Sequence, residues 1–226
     1  MNMRRFDEII DLAAERHGGR AAFDQMLAET RPLAPREIAA IPDDRILAAM
    51  TRRIFCAGFS SQVVDAKWQA FESAFERFDP ARCAWMTEER FDELLKDKAI
   101  VRNGAKIKSV QENGRLLTEL AERHGAAARF LAEWPDDDFV GLLDFLKKNG
   151  SRLGGETGMH FLRSIGKPAF ITMPDVVKAL IREQVLSKSP TGKGDFAKIQ
   201  AALNQWSEQS GLDLTSMSRT LAMSVG

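Results

Sequence analysis

Hydrophobic residues recur along this chain at three- and four-residue intervals, and no period-two alternation runs long enough for a sheet strand. The pattern predicts helix nearly throughout. Phe6, Ile9, Ile10 and Ala13 form one stripe of a helix over residues 3–16, which Gly18 and Gly19 close. A second helix over 20–29 leads into a loop marked by Pro32 and Pro35. The next begins at Pro42-Asp43-Asp44, where acids suit the positive end of a helix, runs to Cys56 and stops at Gly58. A helix over 62–78 ends before Asp79-Pro80. Thr87 caps another, and a long helix over 104–124 closes at Gly125. Further helices are expected from Pro135 to Asn149, over 155–165, 174–186 and 195–210, and from Thr215 on. Trp68, Trp85, Trp134 and Trp206 match helical apolar spacing, which predicts a core position for each.

At 226 residues and 44% hydrophobic content, the chain is long enough for one good-sized core or two small lobes. No uninterrupted apolar run approaches the roughly 18 residues that would cross a membrane. The N-terminus has no signal-peptide core, and the two cysteines, Cys56 and Cys83, lie in apolar helical settings, so free thiols in a cytoplasmic, monomeric protein are expected. No C-x-x-C or H-x-x-x-H spacing suggests a metal, and no cofactor is expected. Thirty-two acids balance 32 basic residues, which argues against holding DNA through bulk charge and leaves room for a local basic face.

The chemistry-bearing stretch is Ser151 to Gly166, S-R-L-G-G-E-T-G-M-H-F-L-R-S-I-G. Leu153 would pack inward while Gly154 and Gly155 turn the chain and open a helix. The backbone N–H groups of Gly155, Glu156 and Thr157 then face outward with the helix's positive end, a suitable grip for a phosphate. The same pattern also fits a glycine turn between two packed helices. Upstream, residues 53–80 read R-I-F-C-A-G-F-S-S-Q-V-V-D-A-K-W-Q-A-F-E-S-A-F-E-R-F-D-P. Val101-Arg102-Asn103, Lys106-Ile107 and Leu146-Lys147-Lys148 follow.

Together these motifs, over residues 46–166 with a looser tail to Gly226, resemble the 3-methyladenine DNA glycosylase I family. The resemblance implies an all-α helix-hairpin-helix DNA glycosylase fold at 43–226, with residues 1–42 as an appended N-terminal helical extension. It implies base-excision repair of duplex DNA carrying damaged bases, by hydrolysis of the N-glycosidic bond of alkylated purines such as 3-methyladenine. Gly154, Gly155 and Thr157 would hold DNA phosphate, and Ser60 and Lys106 would assist. Phe59 would fill the gap left by a flipped base. Arg53, Gly58, Ser61 and Trp68 would border the pocket. His160 lies within the helix after the hairpin and fits either packing or a place beside that pocket. Arg102, Lys108, Lys188 and Lys193 are candidates for further phosphate contacts.

The chain departs from the family at several points. Arg53 stands where the family has a glutamate that recognises the modified adenine, and Ser61 where it has a stacking tryptophan. The family's zinc ligands have no counterpart, and there is no tyrosine in the chain. An arginine would repel a cationic methylated purine. Asp175 follows the hairpin at about the interval where related enzymes place a catalytic carboxylate, a group that stabilises the sugar cation. It equally suits the first turn of a helix with Thr172 as cap. Two alternatives to the enzyme therefore stand beside it: a catalytically impaired protein that binds damaged or structured DNA, and a helical interaction module.

Overall fold

The computed structural model describes residues 3–225, and among the described residues there is no strand. In chain order the first helices are α1 (Phe6–Arg16), α2 (Arg20–Ala28), α3 (Pro35–Ala39), α4 (Asp43–Cys56) and α5 (Ser61–Ala66). Next come α6 (Trp68–Ala74), α7 (Pro80–Ala84), α8 (Glu88–Lys96), α9 (Gly104–His124) and α10 (Ala127–Glu133). The last are α11 (Phe139–Asn149), α12 (Glu156–Ser164), α13 (Pro174–Arg182), α14 (Lys193–Ser210) and α15 (Leu214–Met223). Single 3₁₀ turns lie at Glu76–Phe78 and Asp136–Asp138. The all-α fold expected from periodicity is the fold observed.

Two compact units make up the chain. One comprises the segment up to Leu33, Pro135–Gly141 and the chain from Pro168 on. Its core contains the predicted stripe of α1, with Phe6 and Ile9 fully buried. The Trp206 ring lies 5.5 Å from that of Phe6, and its indole N–H donates to the Arg4 carbonyl at 3.1 Å. Val176, Ala179 and Leu180 give α13 a buried face, and α13 packs on α15. Glu183 is buried there because two guanidinium groups hold it, Arg182 at 2.6 Å and Arg4 at 3.5 Å.

The other unit comprises Ala34–Trp134 and Leu142–Lys167, with α9 at its centre. Ile107, Val110 and Leu117 on α9 are fully buried. Gly114 allows α7 to lie close, since a Cβ there would stand 2.9 Å from the Pro80 carbonyl oxygen. Helix ends follow the local signals where the signals are local. Thr87 accepts from the Arg90 N–H at 3.2 Å, Asn103 from the Lys106 N–H at 3.1 Å, and Gly125 ends α9 in the left-handed region.

The structure departs from the sequence expectation at residues 62–78. The one predicted helix is instead α5, α6 and a left-handed turn in which Glu76, Arg77 and Phe78 have φ of 49°, 58° and 61°. Left-handed residues with a Cβ cost about 1–2 kcal/mol each, so tertiary contacts must hold them. Arg45 of α4 supplies two: it donates to the Arg77 carbonyl at 2.7 Å and pairs with Glu72 at 2.7 Å. The turn also stacks Phe78 on Phe75 and Trp68 at centroid distances of 5.7 Å and 5.3 Å. Short helices α3, α7 and α10 were not among the expected helices either, although Pro35 and Pro80 stand at the first positions of α3 and α7 and Asp79 caps α7. The N-terminus of α10 is capped from a distance, Asp43 accepting from the Ala127 and Ala128 N–H groups at 3.1 Å and 3.0 Å.

The tryptophans divide. Trp206 is buried and Trp68 half-buried, but Trp85 follows the last residue of α7 and leaves its side chain 83% exposed. Helical spacing fails there because α7 ends one residue earlier.

Candidate nucleic-acid interface

The hairpin between α11 and α12 is fixed from beneath by a residue of α9. Asn113 is fully buried, and its amide spans the turn: Nδ2 donates to the Ser151 carbonyl at 3.1 Å and Oδ1 accepts from the Ser151 N–H at 2.8 Å. Leu153 is fully buried, as its place in the motif predicted. Gly158 admits the Leu153 carbonyl so closely that a Cβ would stand 2.4 Å from that oxygen. The turn is thereby pulled onto the unit's core while its outer part remains open. Gly155, exposed and at φ 59°, ψ −138°, is the N-cap of α12, and no side chain caps this helix. Unclaimed N–H groups with a positive helix end constitute an anion-binding geometry. Gly154 and Thr157 are half-buried on either side, and Glu156 is exposed. Asn113 carried no sequence signal, because its partner lies 38 residues away.

A second feature of the same unit is the turn after α4. Gly58 has φ 78°, a left-handed conformation that glycine adopts without strain, and the Phe59 N–H donates to the Cys56 carbonyl at 3.1 Å. The Phe59 side chain is 45% exposed, and so is Val63. Ser60 is the N-cap of α5, and Ser61 its exposed first residue. Lys106, expected at a DNA phosphate, is instead 3% exposed and supports this turn from inside. Its ammonium donates to the Phe55 and Ala57 carbonyls at 3.1 Å and 2.6 Å and lies 4.6 Å from the centre of the Phe59 ring. Burial and the charge of Arg152 hold the Lys106 pKa below its ordinary value.

Arg53 lies on the last turns of α4, half-buried, with its pKa lowered by burial and by Arg52. α12 packs on α4 and brings His160 near it. Burial and the Arg53 charge depress the imidazole, so His160 is neutral at physiological pH. Trp68 stacks on Phe71 at 5.6 Å as well as on Phe78, which fixes its ring plane.

The remaining candidates are divided between the two units. Arg102 is exposed, while Lys108 is half-buried with its ammonium 5.9 Å from the Phe91 ring. Lys188 and Lys193 are exposed in the first-described unit. Asp175 belongs to that unit too, in the first turn of α13, exposed and paired with Lys178 at 2.8 Å. Among the described residues no three His, Cys, Asp or Glu side chains converge as a metal site, and no helix is long and apolar enough to cross a membrane.

Residues 39–140 match the methyladenine glycosylase family. Among solved structures, 3-methyladenine DNA glycosylase I from Staphylococcus aureus is 23% identical, with 61% of this chain and 79% of that chain covered and a TM-score of 0.51. A mutant of the same enzyme is 21% identical over 73% of this chain and 89% of that one, at a TM-score of 0.52. The 8-oxoguanine glycosylase/lyase of Methanocaldococcus jannaschii, solved with a 15mer DNA containing 8-oxoguanine, is 14% identical but covers 95% of both chains at a TM-score of 0.55. The chain thus has the fold of the helix-hairpin-helix DNA glycosylases and resembles, through residues 39–140, the methyladenine glycosylase family.

Proposed function

We propose that the protein is a monofunctional DNA N-glycosylase of base-excision repair, which removes an alkylated purine, 3-methyladenine being the family's example, by hydrolysing its N-glycosidic bond. One observation carries this reading. The unit that includes most of the methyladenine-glycosylase match also presents an uncapped helix end at Gly155 and an exposed aromatic ring at Phe59. The first suits backbone phosphate without reading sequence. The second suits the gap left in a duplex when a base is turned out of the stack. Arg53, Gly58, Ser61 and Trp68 border the base in this reading. Asp175 is the carboxylate assigned to the sugar cation, on its sequence interval from the hairpin. The only lysine nearby is Lys178, and its ammonium is paired with Asp175, so hydrolysis rather than a Schiff base is assigned.

Incubation with methylated duplex DNA tests the reading. The expected result is release of methylpurine, with strand breaks appearing only after alkali. Duplex binding without any base released would favour the second reading, a helix-hairpin-helix protein that binds damaged DNA and has lost catalysis. The half-buried guanidinium of Arg53, in place of a family carboxylate, is the observation that favours it.

A further inference from the structure

Arg53 and its neighbour Arg52 are treated differently by the fold. Arg52 is satisfied, donating two 2.9 Å bonds to the Asp65 carboxylate. Arg53 is half-buried, and among the described residues its guanidinium has no hydrogen-bond or ion-pair partner. Asp65 acts on it only through space, and Cys56, the other nearby acid, is held as a neutral thiol because burial raises its pKa. From α12 it meets His160, itself kept neutral and influenced further by Glu156 and Arg163. The result is a permanent cation, partly removed from water, with donors unclaimed and no bonded countercharge, five residues before Gly58.

Two physical consequences follow. A guanidinium is a planar fork of donors and fits two adjacent acceptors, the pattern O6 and N7 present on a guanine edge. Its charge also discriminates between leaving groups. A purine already cationic from ring alkylation is repelled before reaction and leaves as a neutral base. A neutral purine acquires negative charge as it leaves, which a fixed cation stabilises. In that step the C1′–N9 bond breaks with its electron pair on the base, the oxygen of water bonds to C1′, and a proton from water ends on the base.

Resting on the glycosylase reading above, we propose that Arg53 is a specificity-determining residue that selects a neutral alkylated guanine with O6 and N7 free over a cationic alkylpurine. 1-Methylguanine is a suitable probe, because its methyl group also blocks normal pairing and so lowers the cost of flipping.

The experiment measures single-turnover base release and duplex affinity in parallel. The duplexes carry either 1-methylguanine or the cationic 7-methylguanine, and the proteins are wild type, Arg53→Gln and Arg53→Lys, each verified as folded by thermal melting. Each release rate is divided by the spontaneous rate for the same base, and on that scale, as in affinity, wild type is expected to prefer 1-methylguanine by about tenfold or more, the range of one bidentate base contact. Arg53→Gln should abolish the preference. Arg53→Lys, which keeps the charge and loses the fork, should retain only part of it. If wild type favours the cationic base, or if Arg53→Gln leaves the ratio unchanged, the proposal is overturned. Should no base be released while the affinity preference for 1-methylguanine persists and disappears in Arg53→Gln, the selectivity stands and the glycosylase reading falls. Neither release nor an affinity preference would remove both.

Discussion

The ammonium of Lys106 lies 4.6 Å from the centre of the Phe59 ring, and the same group donates to the carbonyls at either side of the end of α4, Phe55 and Ala57. A buried cation thus closes one helix and sets the base of the turn that carries the exposed ring. The two residues are far apart in sequence, yet one geometry serves both. Lys106→Met should therefore act twice. It leaves the Phe55 carbonyl buried without its donor, a loss of about 1–3 kcal/mol in urea unfolding. It should also weaken binding to an abasic-site duplex. Unaltered stability would mean that water replaces the ammonium.

Phe59→Ala should behave in the opposite way. The side chain is 45% exposed and its main contact is with the Lys106 ammonium, so its removal should change stability by no more than about 1 kcal/mol. Affinity for an abasic or lesion-bearing duplex should fall by about 1–3 kcal/mol, the value of one base–aromatic stack, with intact duplex affected less. Equal losses on both duplexes would indicate general surface contact instead of gap filling.

Gly155→Ala tests the helix end. A Cβ there meets nothing within 4 Å, but φ of 59° with ψ of −138° disfavours any L-residue. A backbone held in such a region costs about 1–3 kcal/mol, and relaxing it would turn the first N–H groups of α12. Duplex affinity should drop by the same factor for damaged and undamaged DNA of any sequence. A folded variant with unchanged affinity would remove the phosphate-binding role.

Asp175→Asn separates a helix-start charge from catalysis, since the N-cap of α13 is Met173 and no side chain caps it. The exposed pair with Lys178 is worth less than about 1 kcal/mol, so little stability should be lost. If the carboxylate stabilises the sugar cation, single-turnover base release should fall about 10²–10³-fold with DNA affinity intact. A rate within about twofold of wild type, against that scale, would leave Asp175 as a helix-start acid only.

Cys83 gives the fold a pH signature. Burial, with smaller contributions from Asp79 and Glu76, pushes its thiol up to about 12 from an ordinary 9.0. Between those values the unfolded chain has released a proton that the native chain retains, so stability falls as pH rises. The slope approaches about 1.4 kcal/mol per pH unit. The chain has no tyrosine to add to it. Urea unfolding between pH 8 and 11 should show this slope in wild type and a flatter one in Cys83→Ala. Thiol reagents should leave Cys83 unmodified in the native protein at pH 8.

Features encoded within one or two helical turns were legible in the chain. The stripe Phe6, Ile9, Ile10 and Ala13 is buried, Thr87 caps α8, and Gly125 ends α9. Helix periodicity and capping depend on neighbours three or four residues away, so a sequence displays them directly. The outward face of the Gly154-Gly155 turn, with Leu153 beneath, belongs to the same category. Its hold on the core through Asn113 does not.

Tertiary structure decided the remainder, because those outcomes depend on partners remote in sequence. Lys106 reads as a surface cation until the carbonyls of Phe55 and Ala57 come within reach of its ammonium. Residues 62–78 read as one helix, yet Arg45 and the stacked rings of Trp68, Phe75 and Phe78 outweigh local propensity and hold a left-handed turn. Arg53 reads as one of two adjacent arginines, and only the fold gives Asp65 to Arg52 and leaves Arg53 beside His160 without a bonded countercharge. A charge in a sequence is only a charge. Burial and the distance to the nearest acceptor determine whether it supports a loop, pairs on the surface or stays available for a ligand.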